Sequence, residues 1–295
     1  VATLPEGKGA GNKPSRMIDC RRGISYEEEM VPYRGSRRSA RACWLYARRL
    51  RFERCRQRFC EFRHHQAYVG FDQSYPPYGF VGNDGNYTGF DLDLATEVAN
   101  RNGWDIQLEA IDWDAKDTLL NSGAINCIWN GFTMEGREDD YTFTDPYMLN
   151  AQVVVVKSSS GIKSLDDLAG KSVITQTDSA AQEVLEGDKA DLAAKFAQLE
   201  TIGDYNTAFM DLEQGAVDAI AMDVIVAGYQ IQQRNADFKI LDDSLSEEEY
   251  GVGFKKGNTE LRDKVQNTLE EMAEDGTLQE VSEKWFSKDV TTIGK

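Results

Sequence analysis

The stretch Tyr68-Val69-Gly70-Phe71-Asp72-Gln73-Ser74-Tyr75-Pro76-Pro77-Tyr78-Gly79-Phe80 decides how the chain is read. A short β-forming run ends at an aspartate, and a polar loop rich in aromatics and proline follows. Open α/β sheets bind their ligands at such strand ends, so the stretch reads as a first strand that delivers a carboxylate. Reading outward, Phe90, Leu94 and Val98 at a spacing of four predict a helix closed by Gly103. Residues 106–108 predict a second strand and residues 113–120 a helix ending at Gly123. Ile125-Asn126-Cys127-Ile128-Trp129 then predicts a strand leading into Asn130-Gly131-Phe132-Thr133. The order is βαβαβ, the form of an α/β domain.

The run Gln152-Val153-Val154-Val155-Val156 is almost purely β-branched, as suits a strand buried on both faces or passing between domains. A second α/β set follows. Residues 164–168 begin a short helix, Ser172-Val173-Ile174-Thr175 is a strand, and residues 179–185 start a helix. Phe209 and Leu212 lie on a helix stopped by Gly215, after which residues 217–222 form a strand with Asp223 at its end. Tyr250-Gly251-Val252-Gly253-Phe254 is a last strand candidate. Leu261, Val265, Leu269 and Met272 then define one amphipathic helix, and Leu278, Val281 and Trp285 another.

With 295 residues the chain has room for one large or two ordinary domains. No run approaches the roughly 18 apolar residues of a membrane span. The net charge of −17 hides two regions of opposite sign: residues 1–66 hold 16 Lys+Arg against 7 Asp+Glu, and residues 67–295 hold 17 against 43. Fourteen of the 18 arginines, Cys20, Cys43, Cys55, Cys60, His64 and His65 lie in the first region. Three readings compete for it. Arginine with interleaved aromatics suits nucleic acid, and Cys55, Cys60, His64 and His65 are zinc-ligand types, but a second Cys pair or His arm is missing. A disordered basic tail is the second. The third, which we favour, takes residues 1–66 as not part of the native mature protein, because an extracytoplasmic chain should begin with an apolar h-region and none is present.

Residues 67–295 contain no histidine and one cysteine, Cys127, inside an apolar strand. This excludes Ser-His-Asp and Cys-His catalysis there and leaves no zinc site; Cys127 reads as core. Gly82-x-x-Gly85 and Gly251-x-Gly253 lack the spacing and lysine of a phosphate loop. No cofactor and no metal is expected. What remains are charges and aromatics at strand ends: Asp72 and Tyr75, Trp113, Thr133 with Arg137, and Asp223. Each alone has an ordinary reading as a helix cap, a surface pair or a core ring. Together, one arginine among only four in an acidic region, set with two strand-end carboxylates, matches the charge pattern of a zwitterionic α-amino acid.

Several motifs in order carry a family resemblance: Asp72 to Phe80 as quoted above, Gly89-Phe90-Asp91-Leu92-Asp93-Leu94, Asn130-Gly131-Phe132-Thr133 with Arg137, Tyr141-Thr142-Phe143-Thr144-Asp145-Pro146-Tyr147, Ser164 to Lys171, and Trp285-Phe286. Residues 67–295 resemble the extracytoplasmic amino-acid-binding proteins of ABC importers, relatives of the glutamine-, histidine- and lysine/arginine/ornithine-binding proteins. The resemblance implies an α/β, type II periplasmic-binding-protein-like clamshell. Residues 67–152 and 247–295 would form lobe 1, residues 153–246 lobe 2, and a two-stranded hinge would join them. It implies that Arg137 grips the ligand carboxylate, aided by Asn130, Gly131 and Thr133 and, from the second lobe, by Gln176, Thr177, Ser179 and Ala180. Asp223 would hold the α-ammonium. The loop before Arg137 is one residue shorter than in familiar members, and Ser179-Ala180 replaces Thr-Gly.

Asp72, Tyr75 and Trp113 would select the side chain. A carboxylate and two ring faces favour arginine, lysine or ornithine, with glutamine or cystine the alternative. The expected partners are a free amino acid and a membrane permease, with no nucleic acid, and the chain is expected to act as a monomer rather than an enzyme. Placement is expected to be extracytoplasmic, periplasmic or at the cell surface, with lipid anchoring left open. Cys43 is a poor attachment point because no apolar stretch precedes it. Two rivals use the same fold: a carboxylate dehydratase, which should lack the amine-binding Asp223, and a sensor domain, which should continue into a membrane segment.

Overall fold

The computed structural model describes residues 66–234 and 236–295, together with two short paired strands, Met17–Ile18 and Ser25–Tyr26. Apart from that pair, the readings placed on residues 1–65, including Cys43, Cys55, Cys60, His64 and His65, lie outside the described residues.

Strand β1 (Gln66–Phe71) is followed by a small three-stranded meander, β2 (Ser74–Tyr75), β3 (Gly79–Val81) and β4 (Tyr87–Thr88). Helix α1 (Phe90–Asn102) then buries Phe90, Leu94 and Val98, as their spacing predicts, and ends at Gly103 in the left-handed conformation. Its entry is tight: a Cβ on Gly89 would lie 2.0 Å from the Tyr78 carbonyl oxygen, at a φ of +150°. Glycine is therefore required there. Strand β5 (Asp105–Ala110), a 3-10 turn at Trp113–Ala115, α2 (Lys116–Ser122) and β6 (Cys127–Ile128) complete the first unit. Buried Cys127 packs as a hydrophobe, and burial pushes its thiol up to about 12.

Strand β7 (Tyr141–Phe143) leads to β8 (Met148–Lys157), the longest of the described strands. The second unit is β9 (Ser172–Gln176), α3 (Ala180–Glu186), α4 (Ala190–Ala193), β10 (Gln198–Ile202), α5 (Tyr205–Gln214), β11 (Ala219–Asp223), α6 (Val224–Arg234) and β12 (Phe238–Ile240). The chain returns through β13 (Ser246–Tyr250) and β14 (Gly253–Lys255) to α7 (Thr259–Glu274) and α8 (Thr277–Phe286).

Two sheets result. One has the order β5-β1-β6-β14-β7, and the other β10-β9-β11-β8-β12 with β13 also on β8. Strand β8 serves three partners along its length, β13 over its first half and β11 and β12 over its second. Met148 to Gln152 pair antiparallel with Tyr250 to Ser246, and Gln152 to Val156 pair with Asp223 to Ala219. Val153 to Val156 are buried, which explains the β-branched run; each such side chain contributes about 1.5 kcal/mol or more. The strand expected over residues 250–254 is divided. Tyr250 ends the pairing with β8 and Gly253 opens pairing with β6 and β7, so Gly251 and Val252 carry the chain from one sheet to the other.

Candidate functional site

Ten of the twelve residues singled out from sequence line one small cavity: Tyr75, Trp113, Asn130, Gly131, Thr133, Arg137, Gln176, Ser179, Ala180 and Asp223. Strand ends and helix starts place them there. Gln176 closes β9, Ser179 caps α3 by accepting the Gln182 N–H at 3.2 Å, and Asp223 closes β11. The other two, Asp72 and Thr177, line a neighbouring, more open space of about 300 Å³ with Asp112, Asp114 and Asp204, and Trp113 borders both.

The loop 130–133 is shaped from behind. Gly131 has a φ of +57°, and its N–H donates to the Asp91 carboxylate at 2.5 Å, while Tyr147 donates to both Asp91 oxygens at 3.0 Å. Asp91 is wholly buried, and burial pushes its carboxyl up to about 7 despite these two donors. A Cβ on Gly131 would also press on the Tyr250 ring at 3.0 Å. Glycine therefore meets both a backbone and a packing need here.

Arg137 is buried over the Phe132 ring, 5.0 Å from its centroid, and its Nη1 donates to the Thr133 carbonyl at 3.3 Å. Its other edge reaches Glu183 of α3: Nη2 at 2.7 Å and Nε at 3.2 Å from the same oxygen. Nearby, the carbonyl oxygen of Asp178 accepts from Trp113 Nε1 at 3.1 Å, Lys116 Nζ at 3.3 Å and Arg137 Nη2 at 3.4 Å. Asp178 has a φ of +57°, a conformation that a non-glycine residue adopts only where its surroundings impose it. Three donors from the first unit thus converge on one oxygen of the second.

Asp223 meets a different environment. Its Oδ1 accepts from Asn150 Nδ2 at 2.7 Å, Gln152 Nε2 at 2.9 Å and the Tyr250 hydroxyl, and its Oδ2 accepts from the Tyr75 hydroxyl. The two amide groups donate equally to Glu248 Oε1, at 2.6 Å and 2.8 Å. Asp72 is held by Ser74 N–H at 2.7 Å and Gln176 Nε2 at 2.8 Å, and burial raises its carboxyl above the usual range.

Asn150, Gln152, Glu248, Tyr250, Glu183, Lys116 and Asp91 were not singled out from sequence as site residues. On β13 Glu248 and Tyr250 are buried, whereas Glu247 is exposed, an alternation set by strand pairing that the glutamate run itself does not show. Among the described residues no group of acidic, histidine or cysteine side chains is arranged to hold a metal ion, and no helix is long and apolar enough to cross a membrane.

Two α/β sheets joined by the β8–β13 pair, with a small polar cavity lined from both, define a type II periplasmic-binding-protein-like clamshell. The family profile of bacterial extracellular solute-binding proteins, family 3, matches residues 68–288, and the chain belongs to that family. It is 34% identical over 226 residues to the L-cystine-binding protein TcyJ of Escherichia coli (strain K12), covering 76% of this chain and 83% of that protein. Among solved structures it resembles an ABC uptake transporter substrate-binding protein from Streptococcus pneumoniae with bound histidine, at a TM-score of 0.75 and 34% identity over 78% of this chain and 96% of that one. An ancestral arginine-binding protein bound to arginine gives a TM-score of 0.70 and 36% identity over 75% and 98%. The chain is thus related to extracytoplasmic amino-acid-binding proteins of ABC importers.

Proposed function

We propose that the chain binds an L-amino acid with a cationic side chain, arginine, lysine or ornithine, between its two lobes and hands it to an ABC permease outside the cytoplasm. Residues 67–152 with 247–295 act as one lobe and residues 153–246 as the other. One observation carries the reading: a single cavity holds both Arg137 and Asp223, complements to the carboxylate and ammonium shared by every α-amino acid. Asn130, Gly131, Thr133, Gln176, Ser179 and Ala180 complete the grip on the ligand backbone, with Thr177 at its margin.

Asp72 supports a cationic side chain from the adjoining space, where Asp112, Asp114 and Asp204 add negative charge beside the Trp113 face. The protein acts as a monomer, without catalysis, and the excess of acid over base in residues 67–295 opposes binding to nucleic acid. Cystine is the second reading, favoured by the cystine-binding relative and by room beyond Trp113 for a longer ligand. A thermal-shift screen of the ligand-stripped full chain against the twenty amino acids, ornithine and cystine separates the two. Stabilisation by arginine, lysine or ornithine upholds the cationic reading. Stabilisation by cystine alone replaces it, and no stabilisation by any of them defeats both.

A further inference from the structure

Glu248 lies on β13 directly behind the cavity, 5% exposed, and among the described residues neither it nor Asp223 has an ion-pair partner. Two buried carboxyls share the same two amide donors, one from Asn150 and one from Gln152 on β8. The amide oxygens Asn150 Oδ1 and Gln152 Oε1 carry no partner. Turning either amide over would set its oxygen against both acids, so the acids dictate the amide orientation. Two like charges buried this deeply on the same two donors cannot both persist without a cation.

We propose that Glu248 is a positioning residue that holds a proton behind the amine-binding Asp223 and gives it up when the ligand's ammonium arrives. The proposal rests on the amino-acid reading above. With the cavity empty, the Glu248 carboxylic acid donates to Asp223, and the pair carries one negative charge. An ammonium at Asp223 Oδ2, which among the described residues accepts only from Tyr75, brings the missing positive charge. The Glu248 proton then leaves to solvent, and two carboxylates face one cation.

The surroundings agree. Burial, and then the charge of Asp223, push the Glu248 carboxyl up to about 8. Across β2 and its loop lie Tyr75 and Tyr78, on β13 Tyr250, and on α5 Tyr205; burial first, and then the charge of Asp223, or for Tyr78 that of Asp91 followed by Asp223, hold all four phenols above their ordinary range, so they stay protonated. Glu247 and Glu249, the charged neighbours of Glu248 on its own strand, are not buried.

The test is calorimetry of the ligand-stripped full chain with L-arginine and L-cystine, in pairs of buffers with different ionisation enthalpies. At about pH 7 the wild type should release a large fraction of one proton per ligand, and its affinity should rise at least about threefold from pH 6 to pH 8. Glu248→Gln keeps the amide contacts and imitates the protonated acid. Its affinity should be flat over that range, near the wild type's acidic limit. Binding without proton release, or a slope that survives in Glu248→Gln, overturns the proposal while leaving the amino-acid reading intact. If the variant does not fold, the wild-type proton count alone decides. Failure of the wild type to bind any amino acid removes both readings.

Discussion

The two charged anchors of the cavity are held in contrasting ways. Asp223 is fixed by neutral donors that are themselves buried: two amides from β8, a phenol from β13 and a phenol from the meander. Arg137 is fixed by a charged partner, and Glu183 is half exposed with 49% of its side chain in reach of solvent. On the reading proposed above, Asp223 would meet the ammonium with its hydrogen bonds already in place before any ligand arrives. Arg137 would have to exchange the Glu183 carboxylate for that of the ligand. The amine end would then be preorganised, and the carboxylate end would work by exchange.

The largest expected effects break the contrast at its centre. Asp223→Asn keeps the size and some of the hydrogen bonds but removes the charge, leaving the ammonium unpaired. Truncating a buried charge partner costs about 2–5 kcal/mol, so affinity should fall by about 30-fold or more. Arg137→Lys keeps charge and loses the planar fork, and should cost about tenfold or more. Titration calorimetry of both variants checks the order. Arg137→Lys weaker than Asp223→Asn would move the main anchor to the carboxylate end.

Much of this was open to reading from sequence, for an identifiable reason. Strand-end residues such as Asp223 and Gln176 are announced by the strands that precede them, and Arg137 stands out because arginines are scarce in residues 67–295. Helix ends were marked by Gly103, Gly123 and Gly215, each left-handed in the structure. What escaped were residues whose role depends on distant pairing. Glu248 sits in the run Glu247-Glu248-Glu249, which reads as solvent-exposed until pairing with β8 turns its middle member inward against Asn150. Asp72, expected to select the ligand's side chain, borders the adjoining space and accepts there from Gln176. The β-branched run at 152–156 suggested a crossing strand, but not that Asn150 and Gln152 would orient a carboxylate.

A smaller effect sharpens the comparison through pH. Asp91 behind the glycine loop and Glu248 behind Asp223 bind a proton more tightly folded than unfolded, with carboxyls near about 7 and about 8. A raised carboxyl binds more protons in the native state, so the slope of unfolding free energy with pH is negative between the unfolded and folded values. Their contribution to stability is fully present below the ordinary carboxylate range and is lost as pH rises from about 4 to about 8. Melting temperatures of the wild type and Glu248→Gln, measured from about pH 5 to pH 8, should diverge in favour of the variant as pH rises. A constant gap would show that Glu248 is ionised throughout, and the amine end would then carry two charges before the ligand binds.

The smallest effect concerns Glu183. Because both Nε and Nη2 of Arg137 bond to its Oε1, a ligand carboxylate approaching that edge must first displace it. A pair with one half-exposed member is worth at most about 1 kcal/mol, since the displaced carboxylate is readily hydrated. Glu183→Gln should therefore raise amino-acid affinity, by no more than about fivefold, chiefly through faster association. The alternative is that Glu183 closes the lobes over a ligand already seated, bonding to an edge of Arg137 that the ligand does not use. In that case Glu183→Gln would weaken binding and speed dissociation. Stopped-flow rates separate the two, and a loss of affinity would make the carboxylate end as preorganised as the amine end.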